Sequence, residues 1–135
     1  DLADTLIMMG KKVLAPVLTD GHGRSLHEPA WAWYDSKNVR TGLWQIPEPI
    51  APILPASAID QVEVVLCSAL FVDRSGYRVG VGGGWYDRVL AHRADDVPVW
   101  AVVNDDEILD EVPHDPWDES VTAALTPHGL HMLGQ

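Results

Sequence analysis

Three features of the chain predict an α/β fold. The run Val62-Glu-Val-Val-Leu-Cys-Ser-Ala-Leu-Phe-Val72 is β-branched and nearly continuously apolar, the pattern of a strand central in its sheet and covered on both faces. Segments with helical spacing precede strand-like runs twice, once near the N-terminus and once after residue 84. A glycine-rich loop joins the strongest strand to the second helix, as in folds built from strand–loop–helix units.

Each element can be justified in order. Leu2-Ala-Asp-Thr-Leu-Ile-Met-Met9 carries its apolar residues at helical spacing and stops at Gly10. Lys12-Val-Leu-Ala-Pro-Val-Leu18 predicts a strand interrupted by Pro16, followed by the turn-rich Thr19-Asp-Gly-His-Gly23. From Glu28 to Pro55 the chain is dense in Trp and Pro, which predicts an extended, irregular stretch packed by its aromatics. After the Val62–Val72 strand comes a loop from Asp73 to Gly84. Trp85-Tyr-Asp-Arg-Val-Leu-Ala-His92 then resumes helical spacing, with Val89 and Leu90 as core candidates. Val97–Val103 predicts the next strand, Pro113–Asp118 a turn, and Val121–Leu125 a short edge strand. There is no internal repeat.

Composition narrows the function. The 135 residues, 47% of them hydrophobic, predict one domain over residues 1–135 with a single core. No apolar run approaches the roughly 18 residues of a membrane span, and no leader pattern opens the chain, so a protein that is neither membrane-bound nor secreted is expected. The one cysteine, Cys67, lies within an apolar run and reads as a buried, inert thiol in a reducing compartment. A net charge of -11 argues against a general nucleic-acid binder, since phosphate affinity is supplied by Lys and Arg. Any anion must therefore be held by a local cluster of cations and backbone amides.

The loop Gly76-Tyr-Arg-Val-Gly-Val-Gly-Gly-Gly-Trp-Tyr-Asp-Arg88 has the residues for such a cluster. Glycines let backbone amides point into a concavity, a helix N-terminus adds partial positive charge, and Arg78 and Arg88 flank the loop as phosphate clamps. Phosphate is the natural ligand. The P-loop fingerprint is absent, and Gly80-Val-Gly82 lacks the third glycine of a dinucleotide fold. A carboxylate beside phosphate needs a cation between them, so Asp87 suggests magnesium, with Asp118 as a second carboxylate. Tyr77, Trp85, Tyr86 and Trp44 offer stacking faces for a planar ligand. Each feature also has a plainer reading: a tight turn, solvated arginines, a favourable acid in the first helical turn, and packing aromatics. The six histidines show no metal-ligand spacing, and no serine-hydrolase elbow is present.

With these residues in view, the chain resembles the 5-formyltetrahydrofolate cyclo-ligase (methenyltetrahydrofolate synthetase) family. Val62–Asp73 followed by Gly76–Arg88 is similar to the family's central signature, and three other segments agree in order and spacing. These are Asp4-Thr5 with Gly10-Lys-Lys-Val-Leu-Ala-Pro16, Trp44-Gln-Ile-Pro-Glu-Pro49, and Pro113–Asp118 with Thr126. The likeness spans nearly the whole chain. There are departures too: Leu2 stands where the family usually has a substrate-contacting Glu, and Ser68 where it usually has proline. Family members are longer at the N-terminus, where a Lys and an Arg complete the ATP site. This chain starts after that position, and the expectation is that the native protein has both residues.

The resemblance implies a three-layer sandwich with a mostly parallel central sheet, NagB/RpiA/CoA transferase-like. It implies a cytoplasmic enzyme, a monomer without nucleic-acid or membrane partners, that uses ATP and Mg2+ to convert 5-formyltetrahydrofolate to 5,10-methenyltetrahydrofolate, releasing ADP and phosphate. A non-catalytic nucleotide- or folate-binding paralogue is the alternative. By position, Arg78, Gly80, Val81, Gly82, Gly83, Gly84, Trp85 and Tyr86 would hold ATP, with Arg78 and Tyr86 catalytic. Trp44, Val81, Gly82, Gly83, Gly84 and Trp85 would face the reduced folate, and Asp87 and Asp118 would bind the metal.

Overall fold

The computed structural model describes residues 2–19, 24–41, 47–80, 85–93 and 96–134. The chain divides into two compact units, Asp1–Ala58 and Ile59–Gln135.

In the first unit, α1 (Leu2–Met8) ends where glycine predicts it should. Gly10 adopts φ 84, its amide bonds the Ile7 carbonyl at 2.9 Å, and the Lys11 amide bonds the Leu6 carbonyl at 3.0 Å. These are the two bonds of a Schellman cap. Strand β1 (Leu14–Thr19) pairs antiparallel with β2 (Ser25–Trp33), placing Pro16 opposite Trp31 and Val17 opposite Ala30. Because β1 is an edge strand in this sheet, Pro16 interrupts no second ladder. A short hairpin follows, β3 (Val39–Thr41) with β4 (Pro47–Pro49), and β5 (Leu54–Pro55) closes the sheet on the other side of β2.

The stretch expected to be irregular therefore opens inside a strand, since β2 runs from Ser25 through Trp33. Its Trp and Pro content concealed it: Ala30, Trp31 and Ala32 are all buried, so no in–out alternation marks the strand, and pairing to β1 and β5 defines it instead. Val17, Ala30 and Ala32 form a small core with Leu26 and Ala51 packed against it. Glu48 is fully buried beside this sheet; it accepts the Leu18 amide at 3.0 Å and the Thr19 hydroxyl at 2.9 Å, with Arg40 at 3.9 Å. The carboxylate thus ties β4 to β1.

The second unit has two mixed sheets. In one, β6 (Val65–Ser68), β9 (Val99–Val102) and β11 (Ala123–Thr126) run parallel, and β12 (Gly129–Met132) adds antiparallel to β11, giving the order β12-β11-β9-β6. In the other, β7 (Phe71–Asp73) lies between β8 (Arg78–Val79), antiparallel, and β10 (Ile108–Leu109), parallel. Val65, Cys67, Val99, Ala101, Ala123 and Ala124 are buried along the larger sheet. Helix α2 (Trp85–Leu90) buries Val89 and Leu90, the two residues its spacing assigned to the core.

Two strand expectations change. The Val62–Val72 run is two strands in different sheets, and β6 is an edge strand, so it is not central. Continuous apolarity reports burial but carries no information on which partner each half selects. The last predicted strand begins at Ala123 and has partners on both sides; β12, with its exposed Leu130 and Met132, takes the edge. Gly129, at φ 130, permits the reversal that creates it.

Candidate functional site

The hairpin β7–β8 delivers Arg78, and a buried acid shapes it. Asp73 Oδ1 accepts the amides of Ser75 and Tyr77, both at 3.0 Å, and Oδ2 accepts that of Val112 at 3.1 Å. Gly76, within the connection from Arg74 to Tyr77, adopts φ 95, and an added Cβ there would lie 2.4 Å from the Val121 carbonyl oxygen. A left-handed residue is what such a loop demands, and here only hydrogen fits. Tyr77 stacks on His114 with centroids 3.5 Å apart, so it serves the hairpin's outer wall.

Arg78 emerges at the end of β6. Its Nη1 donates a long 3.5 Å hydrogen bond to the Ser68 carbonyl, and its Cζ lies 4.9 Å from the centre of the Tyr86 ring. Nε is buried without a hydrogen-bond partner. Gly80 leaves the space the guanidinium occupies, because a Cβ there would come within 2.7 Å of Nη1. Trp85 meets Tyr86 edge-on, 5.0 Å between centroids at 86°. Burial raises the Tyr86 phenol above its usual range, and hydrogen bonding from the Ser68 hydroxyl and backbone partly offsets this. The Cys67 thiol, one residue earlier, is pushed up to about 11 by burial, with Arg78 opposing and Asp87 adding to the shift. It is the inert thiol expected from sequence.

Asp87 lies in the first turn of α2, and its Oδ1 accepts the Glu119 amide at 3.4 Å. That contact brings Asp87 to the segment carrying Asp118, whose Oδ2 accepts the Asp115 amide at 2.8 Å within its own turn. Among the described residues, no group of three or more His, Cys, Asp or Glu side chains is arranged to hold a metal. Arg88 is exposed on the last turn of α2. With six residues, α2 is too short for a substantial macrodipole, so the positive charge beside the Tyr86 ring is that of the Arg78 side chain. Trp44, Val81, Gly82, Gly83 and Gly84 lie outside the described residues.

Sequence reasoning gave no functional weight to Asp73, and marked Ser68 only as a departure from the family's usual proline. An acid followed by Arg-Ser-Gly is a readable side-chain-to-backbone turn signal, whereas nothing in the sequence marks the Ser68 carbonyl as meeting Arg78. Two solvent-exposed histidines join a surface cluster. His128 Nδ1 is in short contact with Asp105 Oδ2, while Thr126 Oγ1 donates to Asp105 Oδ1 at 2.7 Å and lies 3.2 Å from His131 Nε2.

Comparison with known proteins adds an independent line. The family described as "5-formyltetrahydrofolate cyclo-ligase family" matches residues 1–127. The 5-formyltetrahydrofolate cyclo-ligase of Mycolicibacterium smegmatis is 43% identical over 126 residues, which cover 93% of this chain and 65% of that protein. The Escherichia coli protein of the same name is 29% identical over 130 residues, covering 93% and 69%. The solved structure of Aquifex aeolicus 5,10-methenyltetrahydrofolate synthetase superposes with a TM-score of 0.75 at 20% identity, over 98% of this chain and 63% of that one. The chain thus spans less than two thirds of the length of the Mycolicibacterium smegmatis protein and of the Aquifex aeolicus structure.

Proposed function

Since the chain belongs to the 5-formyltetrahydrofolate cyclo-ligase family, we propose that the protein it represents couples ATP hydrolysis to closure of 5-formyltetrahydrofolate into 5,10-methenyltetrahydrofolate. The observation that carries this reading is the Arg78 guanidinium, held between the Ser68 carbonyl and the Tyr86 ring at the entrance to the glycine loop. Phosphoryl transfer asks a protein chiefly for positioning and charge neutralisation, which a fixed arginine and a glycine cradle supply.

In this scheme the formyl oxygen attacks the γ-phosphorus and ADP leaves. N10 of the folate then bonds to the activated formyl carbon, the phosphate departs with the former formyl oxygen, and N10 gives up its proton. Arg78 neutralises charge on the transferred phosphoryl group, with Tyr86 bracing it; Gly80 to Tyr86 form the ATP cradle. Trp44, Val81 to Gly84 and Trp85 face the folate. Asp87 and Asp118 are hard oxygen donors brought to one segment by the Asp87–Glu119 contact, and this donor set fits magnesium, which takes one or two carboxylates alongside phosphate and water. When bound, the ion would neutralise charge on the phosphates. We further propose that residues 1–135 form part of one cyclo-ligase domain, a three-layer sandwich of the NagB/RpiA/CoA transferase-like kind, acting as a cytoplasmic monomer.

The test is direct. The protein is incubated with 5-formyltetrahydrofolate and MgATP while the near-ultraviolet absorbance of the methenyl product is followed. ATP-dependent product that is lost in a folded Arg78→Ala variant supports the proposal. MgATP binding without product in the full-length protein replaces it with the non-catalytic paralogue.

A further inference from the structure

We infer that His114 is a positioning residue for the MgATP site, because its stack on Tyr77 holds residues 112–121, which carry Asp118, against the hairpin that carries Arg78. The use of this hold in nucleotide binding rests on the cyclo-ligase reading. The segment is fastened to the β7–β8 hairpin at both ends. The Val112 amide donates to Asp73 Oδ2 at 3.1 Å, and the Val121 amide donates to the Gly76 carbonyl at 2.7 Å. Both valines are buried, which anchors these ends in the core.

Between those ends the chain leaves the core, and residues 113–117 are exposed. The turn keeps its own shape, since the Asp118 amide donates to the Asp115 carbonyl at 3.0 Å and the Asp115 amide donates to Asp118 Oδ2 at 2.8 Å. Those bonds are internal, so they fix the form of the turn and not its place. Two outside contacts set the place. On one side the Tyr77 and His114 rings lie 3.5 Å apart with 5° between their planes; on the other, the Glu119 amide reaches Asp87 Oδ1 across a long 3.4 Å.

The local sequence explains why one ring suffices. Pro113 and Pro116 flank His114-Asp115 and each locks its own φ near about −65°, so little backbone freedom is left for the stack to remove. His114 Nδ1 lies 3.2 Å from the Val112 carbonyl oxygen, which orients the ring from within its own segment. Tyr77 immediately precedes Arg78 and draws its amide bond from Asp73, so the ring that His114 meets belongs to the rigid part of the hairpin. The stack therefore relates Asp118, and through Glu119 also Asp87, to Arg78. His114 acts through these groups and is not one that touches the reacting atoms.

The experiment compares His114→Ala and His114→Phe, each in the wild-type and Tyr77→Ala backgrounds of the full-length protein. Because His114 is exposed, its replacement leaves the core intact. Calorimetric titration with MgATP, without folate, needs no turnover. We expect His114→Ala to weaken MgATP binding about three-fold, since the shift cannot exceed the worth of one aromatic pair. His114→Phe keeps a ring and drops only the Nδ1 contact, so it should bind as the wild type does. In the Tyr77→Ala background the stack is already gone, and His114→Ala should add no further loss. Affinity for 5-formyltetrahydrofolate, titrated alone, should not change, a split that general loosening of the fold would not produce. Hydrogen exchange of the Glu119 amide in the ligand-free protein should be faster in His114→Ala and restored in His114→Phe.

Wild-type MgATP affinity in His114→Ala, an equal loss in both backgrounds, or a parallel loss of folate affinity overturns the inference. If the wild-type protein binds no MgATP and forms no methenyl product, the cyclo-ligase reading fails and the Glu119 amide decides the structural link. Unchanged exchange in His114→Ala then overturns the link, and faster exchange sustains it.

Discussion

The carboxylate of Asp73 accepts the amide of Val112 at 3.1 Å, joining the hairpin that carries Arg78 to a segment 39 residues away. The same side chain holds the amides of Ser75 and Tyr77, so three backbone donors depend on one nearly inaccessible acid. Asp73→Ala would leave them unsatisfied and should cost about 3 kcal/mol; Asp73→Asn, which keeps one acceptor oxygen, should cost roughly half as much. Urea unfolding with an unchanged m-value checks both figures.

Gly76 and Gly10 form a matched pair. Both have positive φ, 95 and 84, but an added Cβ meets the Val121 carbonyl at 2.4 Å in the first case and open space in the second. Gly10→Ala should therefore cost only the left-handed penalty, about 1 kcal/mol. Gly76→Ala must also displace Val121, whose amide bonds the Gly76 carbonyl at 2.7 Å, and should cost roughly 3 kcal/mol. Thermal unfolding of the two variants under the same conditions measures the difference.

Gly80 separates stability from binding. A Cβ there would sit 2.7 Å from Arg78 Nη1, the far end of a flexible side chain, so the guanidinium can move aside while the backbone stays. Gly80→Ala should change stability by less than about 1 kcal/mol while weakening MgATP affinity about ten-fold, if Arg78 serves the phosphates as proposed. Calorimetric titration with MgATP, beside urea unfolding, reads both effects.

The Asp105 cluster sets an acid limit. Hydrogen bonding from His128, then from Thr126, holds the Asp105 carboxyl below its ordinary 3.8. A carboxyl depressed in the folded state adds stability that is present in full above its unfolded value and is lost as pH falls through the folded one. Stability should therefore drop below about pH 4, and Asp105→Asn should flatten that drop while leaving its slope above about pH 5 little changed. Unfolding free energies measured across the acid range test this.

Local chemistry was legible in the chain. Gly10 as a helix stop, Val89 and Leu90 as buried helix positions and Cys67 as an inert thiol all depend on near neighbours in sequence. The cyclo-ligase motifs were readable for the same reason, because they are contiguous runs. Partner choice was not legible. Nothing within Val62–Val72 states that its halves enter different sheets, nor does the local sequence show that Ala123–Thr126 is flanked on both sides or that a strand runs on into the Trp- and Pro-rich stretch as far as Trp33. The same limit hid Glu48 beneath Leu18 and Thr19, Asp73 beneath Val112, and the Ser68 carbonyl beside Arg78. Sequence by itself determined which residues could turn, bury or bind. Tertiary structure decided which of them meet, because a buried acceptor or a strand edge is satisfied by whatever donor the folded chain brings to it, regardless of distance along the sequence.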